Sequence, residues 1–253
     1  MTSPRQLRLN LDALDLPMRD LGGLERTFTE EEILQTIKFV PLDKAPGPDG
    51  FTTRFYVSCW PIIKDDLFTA FSMFHHGDMR GLASINKALV TLLPKRDGAE
   101  ELRDFRHVSF MHGVIKIFDK ILACRLAHEL PNLIGPHQSV FVKGRSLHHN
   151  FMLEQSMARR LHALKHPTIM LKLDISKAFG TIQWAFLLEV LQRMGFGRMW
   201  TNWMAGLLAT SSTHVMVNGT PSAPIHSCKG LRQGGPLSPM LFIIIMEPLQ
   251  KLF

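Results

Sequence analysis

Cysteine is scarce in this chain: Cys59, Cys124 and Cys228 are the only three in 253 residues. An odd, widely spaced set fits neither a disulfide framework nor a C-x-x-C metal site, so free thiols in a reducing compartment are expected. Long apolar runs are missing as well. The longest, residues 240–246, lies between Pro239 and Pro248 and falls far short of the ~20 residues of a bilayer-spanning helix. Residues 1–12 lack the apolar core of a secretory signal. Acidic residues are the minority charge, 22 against 29 Lys and Arg, which leaves a formal charge of +7. That surplus permits a polyanionic partner without demonstrating one. Repeats and low-complexity stretches are absent. Secreted, transmembrane and disulfide-scaffold readings are therefore not expected. A hydrophobic fraction of 45% with 20% charged residues also excludes a disordered chain. The length suffices for one large domain or two lobes.

What is present reads as continuous structure. Residues 1–28, with Pro4, Pro17, Gly22 and Gly23, read as an extended lead-in. Thr29 followed by Glu30, Glu31 and Glu32 has capping-box spacing, with acidic groups where the helix dipole favours them. Ile33, Leu34 and Ile37 continue at helical spacing, and Pro41 stops the helix. Residues 44–50, KAPGPDG, must be loop. Helices are expected at 62–74, 114–130 and 151–164, and a buried strand at 88–93. Residues 168–173 are β-branched and apolar and read as a strand that runs into Asp174, a common way to hold a metal ligand rigidly. Helices follow at 184–194 and 199–208. Residues 213–217 alternate, and Asn218-Gly219 is a strong hairpin signal. Pro221 and Pro224 make the return run irregular. Residues 230–236 are loop, and Ser238 with Pro239 open a final apolar helix as cap and first helical position.

Singly, the chemistry-bearing residues are ambiguous. Asp174 reads equally as a salt-bridge partner or a turn cap. Gln233-Gly234 reads as a turn, and Lys95 and Arg106 as solvated charges. The adjacent pairs His75-His76 and His148-His149 point in divergent directions and match no metal-ligand spacing, so they are read as surface residues.

Order and company change the weighing. The sequence TEEEILQTIKFVPLDKAPGPDGF (29–51) is followed by ALVTLLPK (88–95), LRDFRHVSFMHGVIKIFDKILACRL (102–126) and LIGPHQSVFVKGRSLHHN (133–150). Next come LKLDISKAFGTIQW (171–184) and GLRQGGPLSPMLFIIIMEPL (230–249). In this order the segments resemble the reverse transcriptases of non-LTR retrotransposons, the LINE type abundant in plant genomes. The resemblance implies that Asp174 is the first catalytic aspartate, bridging two Mg²⁺ ions with the Ile175 carbonyl. Such metals activate a primer 3′-hydroxyl and neutralise the triphosphate. It implies that Phe179 lies under the nucleotide sugar, although core packing accounts for a Phe there too. Lys95 and Arg106 would hold the triphosphate. Gln233 would line the nucleotide pocket, with Gly234 allowing close backbone approach. Lys143, Gly144 and Arg145 would lie near the template, a charged turn being the other account of them. The implied partners are an RNA template, a DNA primer and a dNTP, with no membrane. The implied place is intracellular, nuclear or cytoplasmic.

Three positions depart from the family. Gly180 and Gly235 stand where it has Asp, and His107 where it usually has Pro. The family's Ala-Asp-Asp hairpin, downstream of the glutamine loop, is not reached by Phe253. The expectation is therefore a truncated polymerase domain with Asp174 as its single catalytic carboxylate, inactive by itself. The fold expected is α+β: right-hand polymerase fingers (29–166) and a partial palm (167–253), helix-rich with a short antiparallel sheet, the thumb absent. Without the hairpin, the Asp174 strand would lack a partner and the helix 240–253 would expose its apolar face. A non-catalytic nucleic-acid-binding remnant of a retroelement is the alternative, and a protein-binding module ranks last.

Overall fold

The computed structural model describes residues 9–42, 44–165, 167–169, 171–232 and 234–252. Helix α1 (Glu30–Phe39) begins where the acidic first turn places it. The Thr29 hydroxyl accepts from the Glu32 N–H at 3.1 Å, which satisfies one of the helix's free donors. α2 (Thr53–Ser58), α3 (Trp60–His75) and α4 (Leu82–Ile85) lead to strand β1 (Lys87–Pro94). A 3-10 turn, Leu102–Asp104, reverses the chain into β2 (Phe105–Met111). The longest helix, α5 (Gly113–Leu133), buries Ile117, Ile121 and Leu122 as its periodicity requires. After it come α6 (Leu147–Ala163), the short α7 (Ala178–Thr181), α8 (Trp184–Arg193) and α9 (Arg198–Ala209). Strands β3 (Ser212–Val217), β4 (Thr220–Pro221) and β5 (Ile225–His226) precede α10 (Ser238–Gln250). Asn218 and Gly219 both take positive φ, 50° and 80°, the geometry of a two-residue hairpin.

The sheet is mixed rather than antiparallel. Its order is β2-β1-β3-β4, with β5 also on β3. β1 runs antiparallel to β2 from Ala88↔Met111 to Pro94↔Phe105, and parallel to β3 from Lys87↔Ser212 to Val90↔Val215. Parallel neighbours need a long crossover, and here everything from β2 to α9 supplies it. Strands from both sides of residue 167 thus share one sheet.

One apolar cluster runs from Leu11 to Ile245. At its centre Phe71 stacks on Phe118 (3.8 Å between centroids), and Phe74 stacks on Trp203 (5.6 Å). The lead-in belongs to this core: Leu11, Leu21, Leu24 and Phe28 are buried. His75 belongs to it too, half-buried edge-on to Phe28 at 6.0 Å, which corrects its reading as a surface residue. Arg125, on the core side of α5, makes a two-pronged pair with Glu32 (2.8 and 2.7 Å). It also donates to the Leu24, Arg26 and Thr27 carbonyls. Those contacts tie the lead-in and α1 to α5.

Three further expectations are overturned. Residues 167–169 and 171–175 form no strand, and Ile169 is 94% exposed. An apolar β-branched run becomes a strand only when a neighbour takes its backbone groups in a ladder, and no such ladder forms there among the described residues. α10 does not expose its apolar face: Leu241, Ile243, Ile244 and Ile245 are buried, and it packs on α5 and α8. Its buried Glu247 accepts from the Gly135 N–H. Ser238 is the first helical residue, and Leu237 occupies the cap without a side-chain bond.

Candidate functional site

Two clefts border the first half of α5, and residues of the 230–236 loop line both. The larger, about 470 Å³, has the sheet as one wall, through Val90, His107, Ser109 and Thr213. α9 and α10 close it with Leu207 and Leu241, and Lys177, Lys229 and Arg232 bring positive charge. A buried polar chain anchors its floor. Asn86 donates to the Leu207 carbonyl (2.7 Å) and to Thr210 Oγ1 (2.9 Å). Its own Oδ1 and backbone carbonyl accept from Arg232 at 2.8 and 3.1 Å. Burial pushes the Asp119 carboxyl up to about 6, against the opposing pull of the Arg232 charge.

The segment after Asp174 is docked onto the 230–236 loop. Leu231 N–H donates to the Phe179 carbonyl (2.8 Å), and Gly230 N–H donates to the Ile182 carbonyl (2.7 Å). Trp184 Nε1 donates to the Gly230 carbonyl at 2.7 Å. Gly230 (φ 84°) lies so near Gly180 that an added Cβ would come within 3.0 Å of its backbone. Phe179 stacks on Phe242 of α10 at 4.8 Å, so its ring is engaged in packing. The departures from the family fall here as well. A Cβ on Gly235 would meet Asp119 Oδ2 at 2.8 Å. A carboxylate on α5 thus fills the space beside that position. His107 and Gly180 line the cleft.

The remaining candidates are scattered. Asp174 and Ile175 lie on the exposed segment before α7, and neither forms part of the cleft wall among the described residues. Lys95 and Arg106 come together at the open end of the β1–β2 pair, next to the Leu93↔Arg106 register. Lys95 Nζ donates to the Arg103 carbonyl at 2.6 Å. Strand alternation turns Arg106 to the face opposite His107. Lys143 and Gly144 are exposed on a turn. Arg145 spends its guanidinium on four backbone carbonyls, those of Pro131, Ile134, Gly135 and Gln138, at 2.6–3.1 Å. It holds the end of α5 to the following turn. Gln233 lies outside the described residues. Gly234 takes φ 94° and borders the smaller cleft.

Among the described residues, no group of three or more His, Cys, Asp or Glu is placed to hold a metal ion. A cation held at Asp174 would find there one exposed carboxylate and the neighbouring Ile175 carbonyl. That set fits a hard cation completed by waters and a ligand's phosphates, and not a protein cage. No helix among the described residues is long and apolar enough to cross a membrane. Sequence reasoning missed Asn86, Asp119 and Arg232. Asp119 offered one signal, as an acid between apolar neighbours on a core helix.

Comparison with known proteins agrees with the motif order. The profile for "Reverse transcriptase (RNA-dependent DNA polymerase)" matches residues 93–253. The "Transposon TX1 uncharacterized 149 kDa protein" of Xenopus laevis is 30% identical over 226 residues, 89% of this chain and 17% of that protein. A retrovirus-related Pol polyprotein from the type-1 retrotransposable element R2 of Nasonia vitripennis is 28% identical, over 80% of this chain and 19% of its own length. The Pol polyprotein from the type-2 element R2DM of Drosophila melanogaster is 26% identical, over 84% and 20%. The chain therefore spans about a fifth of each of these relatives. A chain of the solved "Partial Cas6-RT-Cas1--Cas2 complex" superposes with a TM-score of 0.46 and 16% identity, over 89% of this chain and 33% of that one. With a profile covering most of its length and retrotransposon proteins as its relatives, the chain belongs to the reverse transcriptase (RNA-dependent DNA polymerase) family.

Proposed function

We propose that this chain is the RNA-directed DNA polymerase domain of a LINE-like retrotransposon protein, with residues 29–166 as fingers and 167–253 as a partial palm. The observation that carries the reading is the docking of the Asp174 segment onto the 230–236 loop. The two segments that resemble the catalytic and nucleotide-binding motifs meet at a cleft lined by Lys177, Lys229 and Arg232. A cleft with that charge suits a triphosphate. Asp174 and the Ile175 carbonyl would hold a divalent cation, Mg²⁺, which when bound supplies charge neutralisation on the phosphates. Gln233 and Gly234 would shape the nucleotide side, and Lys95 and Arg106 would bind phosphate from the fingers. Lys143 and Gly144 would touch an RNA template paired with a DNA primer. The expected location is intracellular, nuclear or cytoplasmic.

One carboxylate is a poor electrostatic clamp for nucleotidyl transfer, so the isolated chain is expected to bind primer–template without extending it. Primer extension on an RNA template with Mg²⁺ and dNTPs tests this. The expected result is no product above the Asp174→Ala background. Extension abolished by Asp174→Ala would overturn the inactivity and keep the polymerase reading. No binding of primer–template at low salt would overturn the reading itself. The alternative, a nucleic-acid-binding remnant, draws support from Gly180 and Gly235, each lacking the carboxylate of the family.

A further inference from the structure

The smaller cleft, about 330 Å³, shares no lining residue with the cleft of Asn86 and Arg232. Its floor is buried and apolar, made by Ile37 of α1, Tyr56 of α2 and Ile117 of α5. Its walls carry two exposed rings, Phe39 and Phe51, 75% and 45% accessible. Phe51 is backed by Phe55, stacked at 4.2 Å between centroids, so its ring is held as a platform. Three amines line the same space, Lys44 from the loop and Lys116 and Lys120 from successive turns of α5.

The cleft is built rather than incidental. Gly47 lies against β2 so closely that a Cβ there would fall 1.9 Å from the Met111 carbonyl oxygen. Asp49 fastens the same loop to α5, its Oδ2 accepting from the Gly113 N–H at 2.6 Å and its Oδ1 from the Phe51 N–H at 3.3 Å. Lys116 Nζ donates to the Ala45 carbonyl at 3.3 Å. The nearby carboxylate is thus occupied by backbone donors, and Lys44 and Lys120 are left to face a ligand.

An aromatic-walled cup with cations along one side matches a planar apolar group attached to an anion. We infer that this cleft takes an unpaired nucleotide of a nucleic-acid strand, its base against Phe51 and its phosphates along Lys44 and Lys120. Stacking platforms beside basic tracks are the general means of holding single strands. The inference deepens the polymerase reading and rests on it. It adds a second contact for single-stranded nucleic acid, with no lining residue in common with the cleft beside the segment after Asp174.

The test is binding of a fluorescent 12-nucleotide oligouridylate RNA across a salt series. For the variant Lys44→Ala/Lys120→Ala, the slope of log K against log salt should fall by about 1.4, as for two lost phosphate contacts on a single strand. Phe51→Ala should weaken binding about tenfold, the size of a lost stacking contact, and Phe51→Tyr should restore it. Arg159→Ala/Arg160→Ala, on the exposed face of α6, should leave binding unchanged. Thermal melting verifies that each variant is folded, and Lys120→Gln replaces any that is not. An unchanged slope in the folded lysine variants would overturn the inference, as would Phe51→Ala binding like the parent. Displacement of the RNA by equimolar ATP would also overturn it, by making the ligand a free nucleotide rather than a strand. If the parent chain binds primer–template but the cleft variants bind oligouridylate normally, the inference alone fails. Failure of the parent to bind either nucleic acid defeats the polymerase reading as well.

Discussion

Arg125 is the clearest case of a charge that holds the fold instead of serving a ligand. Its side chain is 1% exposed, bonds Glu32 with both prongs and lies 4.3 Å above the Phe28 ring. Arg125→Ala would leave the Glu32 carboxylate with only its exposed partner Arg26 and strand three backbone carbonyls, a loss of about 3 kcal/mol, the low end of the usual cost of breaking such a pair. Chemical denaturation of the variant measures it. Burial alone would raise the Glu32 carboxyl, but bonds and charge from Arg125 and Arg26 outweigh it and hold the group below its ordinary 4.5. The stability Glu32 contributes is therefore complete above that value and lost as pH falls through the folded one. Asp119 has the opposite sign. Burial lifts it from 3.8 to about 6 despite Arg232, so its contribution is full below pH 4 and disappears as pH rises through 6. The amount is at most on the order of 3 kcal/mol. Asp119→Asn should flatten this fall in a profile of Tm against pH between 4 and 6, whereas an unaltered fall would show that another group causes it. Neither role was legible in the sequence. Both residues interrupt apolar periodicity on α5, and periodicity alone cannot say whether such a charge meets solvent or a partner.

At the scale of elements, most of the fold was legible because the signals were local. The Thr29 cap, the stop before Pro41, the periodic face of α5 and the Asn218-Gly219 turn each depend on residues within one or two turns of chain. The failures depend on remote partners. Residues 168–173 have the composition of a strand, but backbone pairing comes from another segment, and composition cannot supply it. The parallel β1–β3 pairing was equally invisible, since it joins residues more than a hundred positions apart. α6 forms as expected yet buries none of its residues, and Phe151, Leu153 and Met157 stay exposed. A helix without tertiary packing has little to stabilise it. Limited proteolysis should therefore cut first between residues 147 and 177, leaving α5 and the β1–β2 pair intact. Initial cleavage within α5 would contradict this packing. Gly47 gives a complementary expectation. Gly47→Ala must displace the KAPGPDG loop from Met111, so it should lower Tm and weaken oligouridylate binding together.

The whole molecule combines a surplus of seven positive charges with two clefts that share one loop and one helix. Motif order made the family legible, whereas the docking of the segment after Asp174 onto the 230–236 loop is visible only in the structure. The positions of Lys95, Arg106 and Arg145 were less legible. A motif names a residue type and a spacing, whereas strand alternation and local carbonyls decide where the charge points. The central claim is that these parts form a templated nucleotide site. The most direct measurement is the affinity for an RNA-templated DNA primer with Mg²⁺ and each of the four dNTPs in turn. The account predicts that only the dNTP complementary to the next template base tightens binding, and that Asp174→Ala abolishes the increment. Equal affinity with all four would contradict it and leave a protein that binds nucleic acid without reading it.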